Sequence, residues 1–314
     1  MPETYRLVTR SDFDGLVCAV LLRELGMIDD ILFVHPKDVQ DGKIDVTGRD
    51  ILTNLPYVAE AHMVFDHHSS EALRNEDGKS NHVLLPHAPS AARVVLEHFG
   101  GAAAFPAISD ELMQAVDQAD SAQYSVEDIL EPHGWTLLNY LMDSRTGLGR
   151  FRTFRVSNYD LMMMLISEVP GKTAEQVLAL PDVAERVDLY FEQRPAFTEQ
   201  LRRCSTVMGD LVVLDLRHEE VIHAGNRFQI YADNPFCTVS VHVLWGREKK
   251  NTVLAVGRSI IDRSSPLDIG SLMLFHGGGG HEAAGTCQVA HEDADRVVLE
   301  IAANVNSAAR VRLA

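Results

Sequence analysis

The spacing of apolar and polar positions changes character twice along this chain. In the N-terminal third, short β-rich runs alternate with amphipathic segments of helical period. YRLVT, Tyr5 to Thr9, reads as a strand, and GLVCAVLLREL, Gly15 to Leu25, reads as a helix. Gly26 stops it, because glycine adopts the left-handed conformation of a helix end at little cost. ILFVHP, DILTNL and HMVFD predict three further strands, and PSAARVVLEHFG predicts a helix from Ser90 to Gly100. Alternating strands and helices imply an α/β fold, a mostly parallel sheet flanked by helices. In such sheets ligands bind beyond the carboxyl ends of the strands.

From about Asp110 to Arg203 the period is helical, in DELMQAVDQAD, in YDLMMMLISEV and in a segment after Pro170-Gly171. Thr173 and Gln176 form a capping box at the start of that last segment. AFTEQLRRCSTV predicts a connector helix. Beyond Gly209, the runs LVVLDL, EVIHA, FCTVSVHVLW and NTVLAVGRSII predict strands, closed by a helix over DADRVVLEIAANV. The predicted division is a first domain over 1–194, a connector over 195–208 and a smaller C-terminal α/β domain over 209–314.

Composition supports two cores, with 314 residues of which 46% are hydrophobic. The net charge of −17 opposes tight tracking of long nucleic acid, whose affinity rests on Lys and Arg displacing phosphate counterions. A small phosphorylated ligand held by a few donors and metal ions stays compatible with it. Cys18, Cys204, Cys237 and Cys287 form no CxxC pair and read as buried thiols in a reducing compartment. No secretory signal is visible, and the apolar stretches, LMMMLI among them, are far too short to cross a bilayer. A cytoplasmic location is expected.

Three predicted strands end in ligand-type residues. YRLVT runs into Arg10, Asp12 and Asp14, DILTNL ends near Asn54, and HMVF ends in Asp66-His67-His68. On a parallel sheet these ends share one edge, and AVDQAD adds Asp117 and Asp120, one helical turn apart. Converging carboxylates raise each other's pKa, a cost that a divalent cation removes. Carboxylate with imidazole suits Mn²⁺, Zn²⁺ or Fe²⁺, and the oxygen share favours Mn²⁺. Taken singly, DFDG is an ordinary turn with glycine at positive φ and DQAD a solvated helix face; in combination they make a metal site. Four glycines, Gly277, Gly278, Gly279 and Gly280, precede His281. Such a run can form an anion-binding nest, with HEAAG starting a helix whose positive end favours phosphate. Arg258 and Ser259 end an apolar strand, where an arginine can grip phosphate in bidentate fashion. MDSRTGLGR, with Asp143, Arg145 and Arg150, reads as an exposed loop.

Asp12-Phe13-Asp14-Gly15, Asp66-His67-His68, Asp117-Gln118-Ala119-Asp120 and Gly277–His281, in that order, resemble the DHH phosphoesterase superfamily. The resemblance covers nearly the whole chain and is closest to the branch carrying the DHH-associated C-terminal domain. That branch includes RecJ-like exonucleases, nanoRNases (oligoribonucleases) and dinucleotide phosphodiesterases. It implies a metal-dependent hydrolase with its active site in the interdomain cleft, where metal-activated water attacks phosphorus. By position it implies metal ligation by Asp12, Asp14, His67 and Asp120, with Asp120 preferred to Asp117. Asp66 would support a ligand, and His68 would meet substrate phosphate. Arg258, Ser259, Gly277–Gly280 and His281 would hold the rest of the substrate.

Two departures stand out. Val8 and Arg10 occupy the place where many relatives carry a histidine, and Asn54 falls where many carry a metal-bridging aspartate. The expectation is one well-held Mn²⁺ or Mg²⁺, a second site weak or absent, and Arg10 supplying positive charge in its place. Short oligoribonucleotides or linear dinucleotides are the leading substrates, ahead of nucleoside 3′,5′-bisphosphate and polyphosphate. The alternative is a nucleotide sensor of the same fold that binds without hydrolysis. No membrane association is expected, and a homodimer is compatible with the reading.

Overall fold

The computed structural model describes residues 3–68 and 79–313. The first sheet consists of β1 (Tyr5–Thr9), β2 (Ile28–Phe33), β3 (Asp50–Thr53), β4 (Met63–Asp66) and β5 (His82–Leu84). All pairings are parallel, in the order β2-β1-β3-β4-β5. The order reverses between β1 and β3, so the carboxyl ends of β1, β3 and β4 lie side by side on one edge.

Helices follow as α1 (Phe13–Glu24), α2 (Pro36–Gln40), α3 (Ala91–His98), α4 (Asp110–Asp120), α5 (Val126–Leu130) and α6 (Gly134–Met142). They continue as α7 (Asn158–Glu168), α8 (Ala174–Leu178) and α9 (Pro181–Cys204). α1 is apolar on nearly every face, and every residue from Phe13 to Leu22 is buried, as a central helix requires. Val8, Leu52 and Val64, from three adjacent strands, form one buried cluster with Leu55 and Ala61. Each such side chain contributes about 1.5–3 kcal/mol by leaving water.

The second sheet contains β6 (Ser205–Met208), β7 (Leu211–Asp215), β8 (Val239–Trp245), β9 (Thr252–Arg258), β10 (Gly279–His281) and β11 (Ala284–Val289). Its order is β10-β11-β9-β8-β7-β6, antiparallel except where β7 meets β8. The helices α10 (Gln229–Asp233), α11 (Ile269–Phe275) and α12 (Ala294–Leu313) accompany it. One face packs Val241, Val243, Leu254 and Val256 with Ile269, Met273, Val297 and Ile301. Contacts group the chain into two units, Met1–Gln123 with Pro132–Leu189, and Tyr124–Glu131 with Tyr190–Ala314.

Three expectations need correction. EVIHA is not a strand: it is held by Gln200, whose amide accepts from His223 N at 3.0 Å and donates to Val221 O at 2.7 Å. HEAAG starts no helix, because Gly279–His281 pairs with Ala284–Val289 as an antiparallel hairpin. The helix expected over Ala196–Val207 begins at Pro181 and ends at Cys204, and Ser205–Met208 is strand β6. No helix among the described residues is long and apolar enough to cross a membrane.

Candidate metal centre

Two buried hydroxyls tie the ends of β1 and β3 together. Thr53 Oγ1 donates to Thr9 Oγ1 at 2.7 Å, and Thr9 Oγ1 donates to Thr53 O at 3.2 Å. Asp12 then caps α1, its carboxylate accepting from Gly15 N at 3.0 Å. Gly15 is needed for closeness, not for an unusual backbone angle: a Cβ there would lie 2.0 Å from Arg10 O. That close approach turns Asp14, in the first turn, inward, where it is 3% exposed. Its oxygens accept from Ala91 N at 3.1 Å and Ala92 N at 2.8 Å, the open end of α3.

His67 follows β4. Its Nδ1 lies 3.1 Å from Ala88 O, so Nδ1–H donates there and Nε2 is the ring nitrogen left to face the site. Nε2 faces Asp120, in the last turn of α4, with Nε2 and Oδ2 2.9 Å apart. The pair is close but off-line for a hydrogen bond, and Nε2 is buried without a hydrogen-bond partner. One ligand atom each from Asp14, His67 and Asp120 lies within 4.8 Å of the others.

Burial and crowding shift the triad's protonation. Burial, then the charges of Asp120 and Asp12, push the Asp14 carboxyl well above the usual range. Burial works to lower the His67 pKa, but contact with Asp120 and the charge of Asp14 outweigh it and push it up to about 9. Crowded acids, a buried imidazole nitrogen without a hydrogen-bond partner and a mixed oxygen–nitrogen donor set together fit a divalent cation.

Not every predicted ligand joins the triad. Asp12 is engaged on both oxygens, by Gly15 N and by Arg10 Nε at 3.0 Å. Burial raises its pKa, and Arg10 and Arg145 oppose that rise. Asn54 sits at φ 55° just past β3, 1% exposed, and neither amide atom has a hydrogen-bond partner. Asp117 lies apart, paired with Arg93 and accepting from Ser90 Oγ at 2.7 Å. Asp66 is fully buried, and its Oδ1 accepts from His68 Nδ1 at 2.7 Å, so it orients His68. Ser90 was legible as a helix start, whereas Arg93 and Ala88, which fasten the triad's surroundings, carry no motif that sequence reasoning could have found.

In the second unit, Arg258 ends β9 and its Nη1 donates to Glu282 Oε1 at 2.7 Å. Ser259 is buried, with Oγ accepting from Ile261 N and Asp262 N at 3.1 and 3.0 Å, a turn-forming role. Of the four glycines, Gly277 has φ +76°, while Cβ atoms at Gly278 and Gly280 would meet Thr286 O at 2.0 Å and Ala284 O at 2.3 Å. Gly279 faces open space. His281 is exposed, its Nδ1 accepting from Ala283 N at 3.3 Å.

No family model and no curated protein matches the chain. Among solved structures it is similar to the pGpG-specific phosphodiesterase PggH from Vibrio cholerae, at 57% identity and TM-score 0.87, over 97% of this chain and 99% of that one. An exopolyphosphatase-related protein from Bacteroides fragilis shares the fold at 12% identity and TM-score 0.50, over 96% of this chain and 92% of the other. CDC45 from Entamoeba histolytica does so at 10% identity and TM-score 0.51, over 96% and 95%.

Proposed function

The chain belongs to the DHH phosphoesterase superfamily, and on that premise we propose that its substrate is a linear dinucleotide of the pGpG kind. It is a metal-dependent phosphoesterase of short phosphorylated nucleotides. The observation that carries the finer reading is the 57% identity to a pGpG-specific phosphodiesterase over almost the full length of both chains. The acidic surface, at a formal −17, favours a short substrate over a long strand.

In this reading Asp14, His67 and Asp120 hold one ion, Mn²⁺ or Mg²⁺. The bound ion supplies Lewis acidity, activating water and offsetting phosphate charge. Ala88 O fixes the His67 tautomer through Nδ1, and Ala91 N and Ala92 N hold Asp14 in place. Asp66 fixes the ring of His68, which is 44% exposed and free to meet a phosphate oxygen. Arg258, Ser259, Gly277–Gly280 and His281 are assigned to holding the rest of the substrate, Ser259 by shaping the turn after Arg258.

The test is incubation of purified protein with Mn²⁺ and pGpG, with product followed by ion-exchange chromatography. GMP should appear, and His67→Ala should abolish it. Longer oligoribonucleotides should be cleaved more slowly. Binding of pGpG without turnover would replace the enzyme by a sensor, and equal rates on long oligoribonucleotides would overturn the dinucleotide assignment.

A further inference from the structure

We infer that the Arg10 guanidinium, seated on Asp12, takes the place of a second metal ion and binds a substrate phosphate oxygen directly. The inference rests on the single-ion reading above and names the group that completes it. The metal-facing groups are unevenly distributed. Asp14 from the first turn of α1, His67 after β4 and Asp120 from α4 converge. Outside that triad stand Asp12, already paired with Arg10, and the neutral amide of Asn54. A divalent cation held by Asp12 would have to share it with a guanidinium 3.0 Å away, and like charges repel there. Asn54 offers a neutral oxygen and no compensating charge.

The guanidinium itself is placed for a ligand. Among the described residues Arg10 has one partner, Asp12, reached through Nε. Its Nη1 and Nη2 groups are left to present a planar pair of donors, and the side chain is 33% exposed. That fork matches two phosphate oxygens. Asp12 is itself tethered, its other oxygen capping α1. Arg145, with Nε held by Asp143 Oδ1 at 2.7 Å, is near enough to act on the same carboxylate. Positive charge on this side is thus built from the chain, aimed at charge that grows on the phosphoryl oxygens as the ester breaks. A guanidinium does not lower the pKa of water as a cation does, so water activation stays with the triad.

Two measurements test this without requiring turnover. Calorimetric titration with Mn²⁺ should find one ion in the wild type and in Arg10→Ala, and two in Arg10→Ala combined with Asn54→Asp. Inorganic phosphate, titrated into the Mn²⁺-loaded proteins, should bind Arg10→Ala about 10-fold or more weakly than wild type, with Arg10→Lys between them. Should Arg10→Ala fail to fold, Arg10→Gln keeps a donor toward Asp12 without the charge and serves the same comparison. Phosphate affinity within twofold of wild type in the charge-free variant, or two tightly bound ions in the wild type, would overturn the role of Arg10. A wild type that binds one ion and phosphate but leaves pGpG intact would overturn the substrate assignment instead.

Discussion

His67 Nε2 and Asp120 Oδ2 stand 2.9 Å apart, yet the imidazole nitrogen has no hydrogen-bond partner. A ligand atom from each of these two residues and from Asp14 lies within 4.8 Å of the others. Asp120→Asn should therefore weaken Mn²⁺ binding by more than the roughly 10–100-fold typical of losing a group behind a ligand. Calorimetry on the folded variant checks this, with far-UV circular dichroism unchanged. Ion affinity equal to wild type would remove Asp120 from the site.

Asp14 should behave differently, because its carboxylate also receives Ala91 N and Ala92 N. Asp14→Ala leaves two buried donors unmatched at the start of α3, and should cost about 2–4 kcal/mol of stability even in metal-free protein. Asp14→Asn keeps one acceptor oxygen and should cost less. Urea denaturation of the metal-free proteins measures both.

The glycine run offers an internal control. Gly278→Ala and Gly280→Ala force a Cβ to within 2.0 Å and 2.3 Å of backbone oxygens of β11, so each should destabilise by about 1–3 kcal/mol or more. Gly279→Ala meets nothing within 4 Å and should leave thermal stability unchanged. If the open face at Gly279 receives substrate, Gly279→Ala raises KM while the melting temperature stays that of wild type.

His242 gives the protein a predictable acid limb. Burial, helped by the charge of Arg227, lowers its pKa from the ordinary 6.5 to about 4. The unfolded chain then binds a proton in a range where the folded chain does not, so stability falls as pH drops from 6.5 to 4. Replacing it by glutamine should flatten that part of the stability curve by on the order of 2–3 kcal/mol. Chemical denaturation at a series of pH values across the window tests the sign: a curve as steep without His242 would assign the acid sensitivity elsewhere.

The parallel sheet was readable because β1, β3 and β4 bury both faces and appear as short apolar runs with a sharp polar end. The triad was readable for the same reason, since Asp14 and His67 sit where those runs stop and Asp120 repeats a helical turn. What stayed hidden depends on tertiary partners. Gly279–His281 lacks the side chains that announce a strand, and its pairing with Ala284–Val289 comes from backbone closeness that no local pattern encodes. EVIHA has strand composition, but Gln200 supplies the hydrogen bonds that a sheet neighbour would have. β5 was missed because His82–Leu84 is only three residues long and half-buried. The pairing of Asp12 with Arg10 and the stranded amide of Asn54 set the two ends of the site apart, and neither is visible in residue order alone.

Anchorage by Asp14 and isolation of Asn54 place unlike constraints on drift. Exchange at Asp14 removes a member of the triad and an anchor of α3 together, so an inactive Asp14 variant cannot by itself be credited to lost ion binding. The Asn54 side chain has no hydrogen bond to forfeit, and its φ of 55° suits asparagine and aspartate alike, so a lineage could gain or shed an ion there by that one exchange while the scaffold stays intact.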